Sequence, residues 1–433
     1  MNGERIGLAV ERLSELIASP ERILTGADDA AGYVADGAGA VFCVVLPRNE
    51  DEAVSVVKLA NAMNFAVYTP MIGGLAPEKP GIVMDLRKLE DVIAVDERNL
   101  LATVGAAVTF DRLADELKKY DCRVWMPAAA PTDSVLLTYL EREILFAAGR
   151  YTNRQLAVVH AVLPDGRPYR SGSHALPGAT VSHREDGGPN VSKLLFQSKN
   201  TFGVPIRGVV NVYPRFEARK VVAFGFKNFA DACEASRLMS NAELLTECFV
   251  ADRAKFAAAL GEARALPAWI LGATIEASNG LADYYEKEAR KIARGREGRA
   301  CVESVVAMVD AGLGRPWRAD GASVGFYTTF DRLADFDRVA SETLGENGAA
   351  GVMVVPVKRA VSAYAQYDAP AGDAARSLRE KLLEKGVFFS NPAGDFAKKA
   401  LSTTGNYRKL LMRIKSCMDK RNVLNPGQIM DSP

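Results

Sequence analysis

Gly73-Gly74-Leu75-Ala76-Pro77-Glu78-Lys79-Pro80-Gly81-Ile82-Val83-Met84-Asp85-Leu86 is the stretch on which the fold reading turns. A glycine pair closes a strand-like run, a proline-bracketed loop follows, and a second strand opens at Gly81. With no Cβ in the way, paired glycines let main-chain N–H groups converge on a ligand, which suits an anionic group such as a diphosphate. Alone, a glycine pair between strands is more often simply a turn. Its weight comes from the segments around it.

Upstream, Ala40–Pro47 reads as a buried strand, Asn49–Asn64 carries apolar residues at helical spacing, and Phe65–Pro70 reads as another strand. Downstream, Leu89–Val108 reads as two strands joined by a turn at Asp96–Asn99, and Phe110–Cys122 as an amphipathic helix. A β-α-β-β-β-β-α series predicts an α+β domain. No GxGxxG opens a helix after a strand, so the dinucleotide-binding fold of doubly wound sheets is not supported. Residues 1–36 read as polar and helical. A hairpin turning at Asp165-Gly166 follows, then a Gly/Pro/Ser-rich surface loop over 173–190, and Phe202–Pro214 closes the first region. From 216 to 372, strands at Val221–Phe226, Pro267–Ala277, Gly321–Phe330 and Gly351–Val357 alternate with helices. That pattern predicts an antiparallel sheet with helices. The tail, 373–433, reads as helix, loop over Phe388–Gly394, helix, and the ending Asn422-Val423-Leu424-Asn425-Pro426-Gly427.

The 433 residues exceed one ordinary core, so two or three domains are expected. With 48% apolar and 25% charged residues and a net charge of +1, the composition gives no electrostatic reason for nucleic acid or an anionic membrane as partner. No apolar run approaches the roughly 20 residues of a bilayer span. The charged first turns do not read as a secretion signal, so a cytoplasmic protein is expected. Six cysteines lie far apart without a CxxC pair, and His160, His174 and His183 are the only histidines. Neither an iron–sulfur or zinc site nor a histidine-rich metal centre is expected.

Together these segments resemble the vanillyl-alcohol oxidase/p-cresol methylhydroxylase family of FAD-dependent oxidoreductases. The likeness rests on Val45-Leu46-Pro47-Arg48-Asn49, the glycine loop, Pro127 with Ser134–Arg142, the run from Gly187 through Leu195–Ser198 to Phe202-Gly203-Val204, and Asn422–Gly427. It implies a two-lobed FAD-binding domain over 37–215, an α+β cap domain with an antiparallel sheet over 216–372, and a tail over 373–433 that returns to the FAD domain. It implies cofactor contacts from Thr69, Met71, Ile72, Gly73, Gly74, Leu75 and Ala76. Further contacts are implied from Pro127, Ser134, Val135, Thr138, Glu141, Gly203 and Val204.

Some positions depart from the family pattern. Tyr68-Thr69-Pro70 precedes the glycine pair where family members carry more donors and glycines, and Pro70 has no N–H. Leu137-Thr138 stands where a glycine pair usually approaches the flavin. No His or Cys occupies the family's covalent attachment position, so noncovalent FAD is implied. The acid of the phenol-oxidising branch is missing near Gly149–Arg154, and its Tyr-Arg pair appears as Ser390-Asn391. Arg150, Tyr151, Arg154, Ser390 and Asn391 remain as catalytic candidates, with Lys358, Arg359, Tyr364 and Tyr367 as a second polar wall; for Arg150, Tyr151, Arg154 and the second wall a solvated or packed role is the plainer expectation. The implied activity is hydride removal from a small organic substrate, with electrons passed to an acceptor or a paralogous subunit. The alternative is a flavin-fold subunit that has lost catalysis and serves a structural or regulatory role.

Overall fold

The computed structural model describes residues 3–26, 29–30, 32–33, 40–70, 77–90, 93–125, 132–141, 155–179, 181–183, 188–260, 266–312, 322–345, 351–357, 362–370, 372–389, 392 and 394–430. The chain opens with helix α1 (Gly3–Leu16), which buries Ala9 and Leu13. Pro20 begins a single 3-10 turn, and Ile23–Leu24 then form strand β1. The expectation of a helical segment over 1–36 is corrected here: Ile23 and Leu24 pair with β2 (Val41–Val45) and finish a sheet edge. Asn49 caps α2 (Glu50–Met63) by accepting from Glu52 N at 2.9 Å, and Asn64 ends it in the left-handed region. Strands β3 (Ala66–Tyr68) and β4 (Gly81–Met84) complete a sheet ordered β1-β2-β4-β3, in which β4 runs parallel to both neighbours.

The second sheet is antiparallel and follows the order β5-β6-β10-β8-β9. Its strands are β5 (Ile93–Asp96), β6 (Leu101–Gly105), β8 (Leu156–Val162), β9 (Pro168–Arg170) and β10 (Val204–Asn211). Helices α3 (Phe110–Leu117) and α4 (Val135–Glu141) bury Leu113, Leu117, Leu136 and Leu140 in the apolar core that joins the two sheets. A short ribbon of β7 (Cys122–Arg123) and β11 (Tyr213–Pro214) leads toward the second half.

That half is one antiparallel sheet of eight strands, β15-β12-β14-β13-β17-β18-β16-β19. It contains a duplication. The first unit runs β12 (Ala218–Phe226), α5 (Phe229–Asn241), β13 (Glu247–Asp252), α6 (Arg253–Leu260), β14 (Trp269–Ala277) and α7 (Asn279–Arg294). After β15 (Arg299–Ala300) and α8 (Glu303–Gly312), the second unit runs β16 (Ala322–Thr328), α9 (Leu333–Leu344), β17 (Gly351–Val357), β18 (Ser362–Ala369) and α10 (Asp373–Glu384). The two meet through β13 and β17, where Val250 faces Val354. α5, α7, α9 and α10 cover one face, while Phe256 of α6 and Val305 and Val309 of α8 pack on the other.

The expected loop at Phe388–Gly394 holds strand β19 (Phe388–Phe389), which pairs with β16. Phe389 is drawn into the core against Phe326 and Phe396. Helices α11 (Gly394–Ser402) and α12 (Asn406–Met418) then return the chain to the first sheet, where Leu424 forms a parallel bridge with Val67.

On β8, His160 is 7% exposed and lies in register with Arg170 on one side and Arg207 on the other. Its Nε2 lies 2.9 Å from His174 Nδ1, and His174 Nε2 lies 2.9 Å from Ser182 Oγ. Burial, with Arg170, His174 and Arg207 nearby, pushes the His160 imidazole down to about 4. The unfolded chain therefore takes up a proton near pH 6.5 that the folded chain refuses until about pH 4. Stability should fall as pH drops through this window, by up to about 3 kcal/mol. Urea unfolding across pH 7.5 to 4 should show a shallower fall in His160→Gln than in the native chain; identical pH profiles would contradict this assignment.

Candidate functional site

β3 delivers Tyr68 and Thr69 to the edge of the first sheet, and the chain returns at Pro77 toward β4. Met71, Ile72, Gly73, Gly74, Leu75 and Ala76 lie outside the described residues, but both limbs that carry them are fixed. The Tyr68 hydroxyl donates to Lys79 O at 2.8 Å and accepts from Lys79 N at 3.0 Å. Thr69 is fully buried; its N–H donates to Asn425 Oδ1 at 2.9 Å, and its hydroxyl oxygen accepts from Asn425 Nδ2 and Asn200 Nδ2, each at 2.8 Å. Val67 N donates to Val423 O at 2.7 Å and Asn425 N to Val67 O at 3.0 Å, so the tail is held to β3 by a single parallel bridge.

A buried ion pair holds the tail there. Lys415 Nζ donates to Asp419 Oδ2 at 2.5 Å and to Thr201 O and Leu424 O at 2.9 Å each. Asp419 accepts in turn from Val423 N at 2.8 Å and Leu424 N at 2.9 Å. Burial pulls the Lys415 ammonium down and Asp419 opposes it. Gly427, at φ +79°, passes against the other limb: a Cβ there would stand 2.2 Å from Glu78 Cδ.

The turn that Lys415 grips is conformationally unusual. Gln197, Lys199 and Asn200 all occupy the left-handed region without being glycine. Glu141, at the end of α4, helps to hold them by accepting from Lys199 N at 2.9 Å. Burial outweighs the neighbouring Lys199 and the main-chain donors, and raises the Glu141 carboxyl to about 7. Glu141 Oε2 and Thr201 Oγ1 are buried without a hydrogen-bond partner among the described residues. The structure therefore brings Thr69 and Glu141 together through the 199–201 turn.

The other residues singled out from the sequence separate. Ser134 Oγ accepts from Leu137 N at 3.1 Å at the opposite end of α4, while Val135 and Thr138 are core residues. Leu137 is the one half-buried residue of the run 135–141. Gly203 packs beneath Leu195, and Val204 pairs with Val162 inside the sheet. Tyr364 and Tyr367 do not share a wall. Tyr364 lies on the α6/α8 face of its sheet, whereas Tyr367 stacks on Phe326 on the opposite face and donates to Asp337 at 3.3 Å. Pro127, Arg150, Tyr151, Arg154, Lys358, Arg359, Ser390 and Asn391 lie outside the described residues.

A cluster missed by sequence reasoning joins the two halves. Arg123 on β7 pairs with Glu276 on β14, lies 3.5 Å from Glu247 Oε1 on β13, and stacks 3.6 Å above the Trp125 ring. The Tyr139 hydroxyl donates to Trp125 O. Thr274 Oγ1 donates to Glu247 Oε2 at 3.1 Å, and Arg219 Nε lies 3.6 Å from Glu276. Burial and the neighbouring Glu276 push the Glu247 carboxyl up, against the pull of Arg123. Glu276 Oε2 is buried and has no partner among the described residues. The one sequence signal was the spacing of Thr274 and Glu276 onto a single strand face.

Residues 42–172 match the FAD binding domain family model. Across all its residues the chain superposes on a crystal structure of p-cresol methylhydroxylase with bound substrate, at TM-score 0.85 and 18% identity, covering 98% of that chain. The fold is that of the p-cresol methylhydroxylase-type FAD oxidoreductases. The eight-stranded unit follows the FAD binding domain in the chain and is termed the cap for its place alone. Among curated proteins, glycolate oxidase subunit GlcD of Bacillus subtilis (strain 168) is 22% identical over 199 residues, 44% of this chain and 41% of that protein. The 4-cresol dehydrogenase [hydroxylating] flavoprotein subunit of Pseudomonas putida is 24% identical over 189 residues, 40% of this chain and 36% of that protein. The matched stretches thus span about two fifths of those relatives' length.

Domain and fold indicate FAD as the cofactor. The described residues fit it in one respect that can be tested. The two partnerless buried oxygens, on Glu141 and Thr201, sit beside the base of the glycine loop, where a hydroxyl-rich cofactor would give them partners. Glu141 suits a ribose or ribityl hydroxyl better than a phosphate oxygen, since a carboxylate accepts and repels anions. No group of three or more His, Cys, Asp or Glu side chains is placed to hold a metal among the described residues. Asn425→Ala strips the acceptor from the buried Thr69 N–H, at a cost of about 1–3 kcal/mol. The variant should unfold at lower urea concentration and hold FAD at least tenfold more weakly by fluorescence titration; native FAD affinity would contradict the framework.

Proposed function

We propose that the chain is an FAD-dependent oxidoreductase that removes hydride from a small organic substrate held between the cap sheet and the FAD domain. The observation that carries this reading is the meeting of Glu247 and Glu276 on the cap face with Arg123 and Trp125, two residues before the Pro127 segment. Bound FAD, held noncovalently, would supply the hydride acceptor. The chain's own part is to close the cleft against water, orient the substrate and manage its proton. Phe249, Tyr364 and Val355, on the same sheet face as Glu247, are packed under α6 and α8 and give the carboxylates a rigid apolar support. On that face Glu276 Oε2 is the acceptor on offer to a substrate hydroxyl, and Arg123 holds the carboxylate in position through Oε1. Electrons would then pass to an acceptor or a paralogous subunit.

The names of the relatives supply the substrates to try: a hydroxy acid such as glycolate and a phenol such as 4-cresol. FAD-loaded protein mixed anaerobically with each should bleach the flavin with one class, and Glu276→Gln should slow that bleaching about 100-fold without loss of FAD. One observation favours the alternative of a non-catalytic subunit: Leu137 takes the position at the start of α4 where the family's glycines lie. Retained FAD that no substrate reduces, even in whole-cell extract, would decide for that alternative.

A further inference from the structure

The free edge of the cap sheet carries a groove of about 480 Å³ that the proposed reaction does not use. It lies where β12 and β15 pair and where the connection into β14 passes over them. Its floor is apolar, with Phe226, Pro267 and Cys301. Gly225 makes the floor possible: a Cβ at this position would stand 2.4 Å from Pro267 Cγ. Three cations, Lys227, Arg253 and Arg299, line the same groove against one carboxylate, Glu297. Arg253 makes only a 3.4 Å contact to Pro267 O, and neither Lys227 nor Arg299 has an ion pair among the described residues. Elsewhere on the cap, half-buried Lys220 is paired with Asp283 and Glu286, and half-buried Arg237 with Glu234. Cys301 is an unreactive part of the floor, its thiol pushed up to about 11 by burial.

We infer that this groove binds a small organic anion carrying two or more negative charges on an apolar body. The volume falls in the roughly 300–1,000 Å³ range of small-molecule sites. Two guanidinium groups favour oxyanions, phosphate or carboxylate, with two oxygens placed to accept paired hydrogen bonds. The apolar floor favours an occupant with a hydrocarbon face over a bare inorganic ion. This inference is independent of the flavin reaction, because the groove lies on the cap edge and shares no residue with the Arg123–Glu247–Glu276 cluster.

The test is calorimetric titration of the full chain, saturated with FAD, using phenyl phosphate, citrate and inorganic phosphate in turn. At low ionic strength phenyl phosphate or citrate should bind saturably and more tightly than inorganic phosphate, and which of the two binds better identifies the oxyanion. The double variant Arg253→Gln/Arg299→Gln changes two exposed side chains, so its melting temperature and FAD content should match the native protein. Its affinity for the preferred anion should fall at least tenfold, and raising salt to about 0.15 M should weaken native binding more than variant binding. Absence of saturable binding, or equal affinity in native and variant chains, would overturn the inference.

Discussion

Lys415 and Asp419, one turn apart and both buried, fix where the C-terminal tail lies, and the FAD domain is assembled around that choice. Burying an ammonium costs several kcal/mol unless every donor finds a partner. Here the ammonium reaches a carboxylate and two main-chain carbonyls, one from the 199–201 turn and one from the tail. The pair thereby joins two segments more than 200 residues apart in sequence. With the tail held, Asn425 reaches Thr69, and Asn200 reaches the same hydroxyl. The base of the glycine loop is therefore set by residues remote from it, and its own sequence needs no extra donors to hold it in place.

The second constraint is the contact between FAD domain and cap. It is polar where it matters: one arginine is shared by two buried carboxylates and stacked on a tryptophan. Such a cluster is poor as a source of stability, because desolvation offsets much of the attraction. It is well suited to positioning, since one side chain, Arg123, reaches Glu247, Glu276 and Trp125 together. The duplicated cap supports this arrangement. β13 and β14 present Glu247 and Glu276 on one face, while four helices brace the other.

Much of the fold was legible because local signals agreed. Strong apolar runs marked β2 and β12, a capped amphipathic segment marked α2, and an Asp-Gly turn marked the β8–β9 hairpin. The tail motif and the glycine loop were both visible, but not their bond, since Asn425 and Thr69 meet only through tertiary structure. The Arg123 cluster was hidden for the same reason: its members sit on three strands whose register no local pattern reveals. The cap duplication escaped because α6 interrupts the first unit and has no described counterpart in the second. Left-handed backbone at Gln197 and Lys199 carries no residue-level signal, as glycine would. The separation of Tyr364 from Tyr367 was legible, since an odd spacing on a strand puts side chains on opposite faces.

The central claim is that the tail, the 199–201 turn and the limbs of the glycine loop frame an FAD-binding cleft. A crystal structure of the chain grown with excess FAD tests it most directly. Density for the diphosphate should lie against residues 71–76, with a cofactor hydroxyl within hydrogen-bonding distance of Glu141 Oε2 or Thr201 Oγ1 and no covalent link to protein. An empty cleft at saturating FAD, or a diphosphate bound away from that loop, would contradict it.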